Sequence, residues 1–139
     1  MNKLIDLLAQ ALTSFMPPKI VKLSQLIAQY EGFSPGTRAF RNNNPGNCKF
    51  SQKGYRAIYG KVTQDKDGFA IFPTASLGWL YLQNMLLNWA KDERKEWTIK
   101  QLIEVYAPAL DDNDPIAYSK YLVTHLGVDS GTTLKALIT

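Results

Sequence analysis

Between Ile27 and Asn47 the chain reads IAQYEGFSPGTRAFRNNNPGN, and no single regular element can hold that stretch. A helical pattern runs into Tyr30-Glu31-Gly32 and stops, with Gly32 suited to the left-handed residue that ends many helices. Pro35-Gly36 and Pro45-Gly46 then read as two turns, proline presetting one torsion and glycine supplying the positive φ of a type II turn. An irregular segment is therefore expected over residues 33–54. Loops of that length are uncommon inside a compact domain and are often functional. A lone carboxylate ends an apolar helix beside a loop rich in amides, and those are the parts needed to bind a sugar chain and protonate a glycosidic oxygen.

The flanking sequence fits helices and one hairpin. A chain of 139 residues is expected to form one domain with a sizeable core, spanning residues 1–139. Residues 1–18 read as an amphipathic helix, with Leu4, Leu8, Leu12 and Phe15, joined by Leu7 and Ala11, at helical spacing. Packing on the domain is one reading of that helix, and an interfacial membrane helix or docking helix is another. Pro17-Pro18 closes it. A second helix is expected from about Lys19 to Glu31, with Ile20, Leu23, Ile27 and Tyr30 inward. Residues 55–72 read as a hairpin: Tyr55 to Gly60 alternates, Gln64-Asp65-Lys66-Asp67-Gly68 turns, and Phe69 to Phe72 returns. Thr74 or Ser76 can cap a central helix running to about Lys91, buried on more than one side. Thr98 caps the next, which carries Ile99, Leu102, Ile103 and Tyr106 and ends at Pro108. Asp114-Pro115 starts another that reaches about Leu126, before Gly127. A short helix from about Thr132 to Ile138 finishes the chain. The fold class is α+β, mainly helical, with one small β-hairpin.

Glu31 is the principal candidate for chemistry. A glycosidic acid must keep its proton near neutral pH. Partial negative charge at a helix C-terminus and drying by Tyr30, Phe33 and Phe40 would both raise its pKa. A solvated glutamate in a last helical turn has the same local sequence. The asparagines from Arg41 to Asn47 offer donors and acceptors to hydroxyl and acetamido groups, although asparagine is also a good turn residue. Asp65 and Asp67 are candidates for a second carboxylate or simply turn residues. Asp111, Asp112 and Asp114 lack calcium-loop spacing and read as loop and capping groups. Tyr106 and Tyr118 are each either core residues or hydroxyls aimed at the glutamate or the sugar.

Composition excludes several classes. One cysteine, Cys48, precludes an internal disulfide, and with one histidine, His125, a His/Cys metal site or a Cys–His catalytic pair has almost no support. No metal or cofactor is expected. The net charge of +4 suits an anionic partner such as the bacterial cell wall, nucleic acid or a lipid surface. Nucleic acid is disfavoured, because Pro115 to Leu126 carries only Lys120 besides His125. The N-terminal apolar run is broken by Asp6 and Gln10, so neither a cleavable signal peptide nor stable membrane insertion is expected.

Glu31-Gly32, Arg41-Asn42-Asn43-Asn44-Pro45-Gly46-Asn47, and Phe69-Ala70-Ile71-Phe72-Pro73-Thr74 ahead of a helix together resemble the lysozyme-like peptidoglycan lytic enzymes. The branch it resembles most is the one of phages, prophages and some bacteria that carries an RNNNPGN box. Tyr106-Ala107-Pro108 and Tyr118 extend the resemblance, which covers about residues 20–127. It implies a lysozyme-like fold, with residues 19–139 as the catalytic core. The substrate would be the β-1,4 bond between N-acetylmuramic acid and N-acetylglucosamine. Glu31 would be the general acid/base, as in a lytic transglycosylase or muramidase (an endolysin-type, bacteriolytic glycosidase). Asn43, Asn44, Asn47 and Phe72 would bind substrate, and Tyr106 would match the tyrosine that supports the acid. Such a protein would act as a monomer on glycan strands in the periplasm or cell wall, carried by a virion or held in the host cytoplasm before release. A non-catalytic glycan-binding or structural virion protein is the alternative. Three departures are plain: Gly32 follows the glutamate where soluble lytic transglycosylases have serine, the asparagine box replaces their Gly-Leu-Met-Gln motif, and their later Ala-Tyr-Asn-Ala-Gly signature survives only as Tyr106-Ala107. Hydrolase and transglycosylase chemistry therefore both stand at this point.

Overall fold

The elements follow from where the chain can and cannot cap a helix. A computed structural model describes residues 2–107 and 113–139, so Pro108, Asp111 and Asp112 lie outside the described residues. Helix α1 spans Asn2–Thr13 and α2 spans Pro18–Tyr30, with proline in its first turn and Glu31 as its C-cap. Gly32 follows at φ +75°, the left-handed geometry expected of it. The loop after it is not wholly irregular: one turn of helix, α3 (Arg38–Arg41), is capped by Thr37. Strands β1 (Thr63–Gln64) and β2 (Ala70–Ile71) pair antiparallel, Thr63 opposite Ile71 and Gln64 opposite Ala70. Helices α4 (Ala75–Trp89), α5 (Ile99–Tyr106) and α6 (Pro115–Leu126) complete the set. Thr74, Thr98 and Asp114 each cap their helix with a side-chain oxygen, and Gly127 ends α6 in the left-handed region. The terminal segment is a 3₁₀ turn, Leu134–Ile138.

Helix α4 is the central element. Leu82 and Leu86 join a cluster with Ile20, Leu23, Ile27, Leu102, Tyr118 and Leu122. Leu77 and Leu80, on its N-terminal half, join a second cluster with Ala9, Tyr59, Ala70 and Phe72. Helix α2 packs on both α4 and α6, and α5 packs on α6. The result is mainly helical with one two-stranded antiparallel sheet, the α+β class.

Two expectations are corrected. Tyr55 to Gly60 is not the first strand of the hairpin: Ala57–Tyr59 is a 3₁₀ turn, and the first strand comes later, at Thr63–Gln64. The alternation there serves packing, since Tyr55 and Tyr59 turn their rings toward Phe72 and Tyr81. The inward face of α1 is also different. It packs on α4, but through Ala9 and Ile5, while Leu4, Leu7, Leu8, Leu12 and Phe15 face outward.

Candidate active site

Where α2 ends, Glu31 enters a groove of about 770 Å³ that runs between the hairpin side of the molecule and the later helices. Each wall has a sequence origin. Tyr81, Met85 and Trp89 recur every four residues, so α4 presents them on one stripe. Tyr106 closes α5 opposite them. Asn47 ends the asparagine box, Lys49 follows it, and Phe69 comes from the start of the hairpin's return.

The Glu31 carboxyl is half-buried, and that burial raises its pKa above the ordinary glutamate value. Hydrogen bonds from Tyr118 and Asn47, and the charge of Arg38, oppose the rise without cancelling it. The Tyr118 hydroxyl donates to Glu31 Oε2 at 2.7 Å. Tyr118 is itself fully buried and stacks on Tyr30 with ring centroids 3.8 Å apart. Its own hydroxyl is held strongly protonated, by burial first and by the adjacent glutamate second, so it acts as a fixed donor. The drying of Glu31 thus involves Tyr30 through that stack. Phe33 and Phe40 pack on each other, and Phe33 also meets Trp79; neither lines the groove.

The asparagines separate into two jobs. Asn44 is buried: its Nδ2 donates to the carbonyls of Cys48 and Ala70, both at 2.9 Å, and its Oδ1 accepts from the Cys48 N–H. Asn43 sits at φ +52° and donates to the Phe72 carbonyl at 3.0 Å. Asn42 donates to Asp65 Oδ2 at 2.9 Å. These three side chains tie the loop to the hairpin. Only Asn47, at φ +48°, reaches the groove, where its Oδ1 accepts from Arg38 Nε at 3.3 Å. Asparagine tolerates the left-handed region better than other non-glycine residues, which suits positions 43 and 47.

Three of the residues expected to contact substrate do not line the groove. Asn44 has committed its amide to buried backbone groups, Asn43 binds the backbone at Phe72, and the Phe72 ring is buried in the second cluster. Tyr106 lines the groove, but its hydroxyl donates to the Gly46 carbonyl and meets Cys48 Sγ at 3.4 Å. Tyr118, not Tyr106, is the tyrosine on the acid. Neither Asp65 nor Asp67 lines the groove. Asp65 caps its own turn, accepting from the N–H groups of Asp67 and Phe69 at 2.9 Å, and those bonds lower its pKa. Cys48 is buried, and burial pushes its thiol up to about 12, which suits packing and not attack.

Arg38, Lys49 and Phe69 were not singled out from sequence. The Arg38 guanidinium lies 3.6 Å from the Phe69 ring centroid and Lys49 Nζ lies 4.3 Å from it. Two-residue alternation carried the signal for Phe69: Ala70 and Phe72 are buried, so within that segment Phe69 and Ile71 fall on the other face. Among the described residues no group of three or more His, Cys, Asp or Glu side chains could hold a metal ion, and no helix is long and apolar enough to cross a membrane. Compared with protein families, with curated proteins and with solved structures, the chain matches none.

Proposed function

We propose that this protein cleaves the β-1,4 bond between N-acetylmuramic acid and N-acetylglucosamine in peptidoglycan, with Glu31 as general acid and then base. The observation that carries the reading is the Glu31 carboxyl: half-buried, raised in pKa, held by Tyr118, and open to a groove walled by aromatic rings. Aromatic faces and amide groups at a groove suit sugar rings with their hydroxyl and acetamido substituents. Arg38 and Lys49 bring positive charge suited to the acidic groups of a cell-wall glycan.

Glu31 is the only carboxylate among the described residues that line this groove. One carboxylate is enough for the transglycosylase form of the chemistry. The protonated Glu31 gives its proton to the leaving glycosidic oxygen as the C1–O bond breaks. The resulting carboxylate then takes the proton of the muramic acid 6-hydroxyl as that oxygen bonds to C1, giving a 1,6-anhydro end and returning the acid to its starting state. Tyr118 donates to one carboxyl oxygen, and Asn47 also bonds the carboxyl. The lysozyme-like fold and action at the cell wall belong to the same proposal. The experiment is digestion of purified cell walls with mass spectrometry of the products: anhydro-muramic ends are expected. Reducing ends would assign hydrolysis instead, and absence of any cleavage would favour glycan binding without turnover.

A further inference from the structure

Helix α1 wears its apolar side outward. Leu4, Leu7, Leu8, Leu12 and Phe15 are 77%, 59%, 47%, 41% and 85% exposed, and all fall on one stripe of the helix and its following turn. The side turned to the domain is the more polar one. There the Thr74 hydroxyl donates to Asp6 Oδ1 at 2.7 Å, Gln10 approaches Ser76, and Ala9 is the residue buried completely. An amphipathic helix on a domain normally does the reverse. Burying this stripe needs something outside the described chain.

We propose that α1 seats its outward stripe in the headgroup region of an anionic phospholipid bilayer, holding the groove beside a membrane surface. Length and charge select this occupant. Twelve residues of helix extend only about 18 Å, well short of the ~30 Å hydrocarbon layer, so the helix lies in the interface plane and does not span it. The chain up to Tyr30 contains Lys3, Lys19 and Lys22, all exposed, and a single acidic residue, Asp6. Asp6 is turned inward onto Thr74, so no carboxylate of that stretch opposes a negative surface. A second copy of the chain fits less well. Two helices of this length cover only part of the ~800 Å² per partner that stable interfaces bury.

The test is co-sedimentation of the full chain with vesicles of phosphatidylglycerol and phosphatidylcholine in equal amounts, compared with phosphatidylcholine alone. No glycan is involved, so the result is independent of peptidoglycan cleavage. The wild-type chain should pellet with the anionic vesicles and less with the neutral ones. A Leu8→Asp/Phe15→Asp variant should lose about tenfold or more in partition, since it puts two charges where apolar side chains enter the interface. Circular dichroism checks that the variant is folded, and Phe15→Asp alone, outside the helix, serves if the double variant is not. Failure of the wild-type chain to pellet, or equal pelleting of the folded variants, overturns the proposal. So does a concentration-dependent dimer that the same substitutions abolish, in a chain that ignores vesicles.

Discussion

Replacing Tyr118 by phenylalanine removes one oxygen atom and leaves the ring that stacks on Tyr30. The lost hydroxyl donates to Glu31 Oε2 at 2.7 Å inside the protein. A hydrogen bond to an ionised group is worth about 1.5–3 kcal/mol and one between neutral groups about 0.5–1.5 kcal/mol. Tyr118→Phe should therefore cost more when Glu31 is a carboxylate than when it is protonated. Closing that cycle, the Glu31 pKa must rise further in the variant. The sign for the wild-type chain follows from burial: the folded state holds the Glu31 proton to higher pH than the unfolded chain does. Stability from this group is thus greatest at low pH and falls as pH rises from the ordinary glutamate value through the folded one. In Tyr118→Phe the fall is deeper and ends at higher pH. For 139 residues 1 kcal/mol corresponds to about 3 °C in Tm, which gives a loss of about 5–10 °C above the Glu31 transition and about 2–5 °C below it. Calorimetry across pH reads both figures. In cell-wall turnover the basic limb of the pH profile, where the acid loses its proton, should move upward. Equal loss of Tm at both ends of the range, or a basic limb that stays or moves down, would refute the argument.

Glu31→Gln should cut cell-wall lysis by about 10²–10⁴ while the chain stays folded, because the amide keeps the bond from Tyr118 but carries no transferable proton. It should also raise Tm relative to wild type above the Glu31 transition and not below it, since only the ionised carboxyl is penalised by burial; a variant less stable than wild type at neutral pH would count against the buried-acid reading. Asn44→Ala should destabilise by about 2–4 kcal/mol in urea titrations, because it strands the Cys48 N–H and the Ala70 carbonyl, while the Cys48 carbonyl keeps the Ala70 N–H; glycan affinity of the folded fraction should be unchanged. Gly46→Ala should cost about 1–3 kcal/mol and much of the turnover, because a Cβ there would collide with the Tyr106 hydroxyl and approach Leu82 to 2.9 Å; full activity in this variant would show that the close packing is not needed.

Helix ends were readable because their signals are local. Gly32, Thr74, Thr98 and Asp114 each act through a backbone torsion or a side-chain oxygen within three residues. The first strand of the hairpin was not, because alternation over Tyr55 to Gly60 looks the same whether a sheet or an aromatic cluster uses it. Gly60 at φ +70° and the Tyr59 hydroxyl, which accepts from Asn84, show which won. The direction of α1's stripe was not readable for a related reason: periodicity finds the apolar stripe but not the way it points. At the site, Glu31 stood out by its place at a helix end. The tyrosine that holds it could not be chosen, since Tyr106 and Tyr118 sit on different helices and only the packing of α6 on α2 brings one of them to the carboxyl. The asparagines were legible as a loop with a purpose. Their destinations were not, because a donor's partner depends on which carbonyl the fold leaves beside it.

Those destinations bear on the chemistry. Asn42, Asn43 and Asn44 fasten the loop to Asp65, to the carbonyl at Phe72, and to those at Cys48 and Ala70. Gly78 lets the loop lie directly on α4, since a Cβ there would overlap the Asn43 carbonyl. Held on two sides, the loop places Asn47 beside Glu31, and Asn47 in turn accepts from Arg38. An acid that must also serve as a base needs both protonation states within reach. Burial alone would favour the protonated form, and donors alone would favour the carboxylate. Burial prevails here, but against Tyr118, Asn47 and Arg38, two of which owe their positions to the asparagine-rich loop. The box thus acts on the reaction through the scaffold it builds, with Asn47 as the one asparagine of the box at the groove.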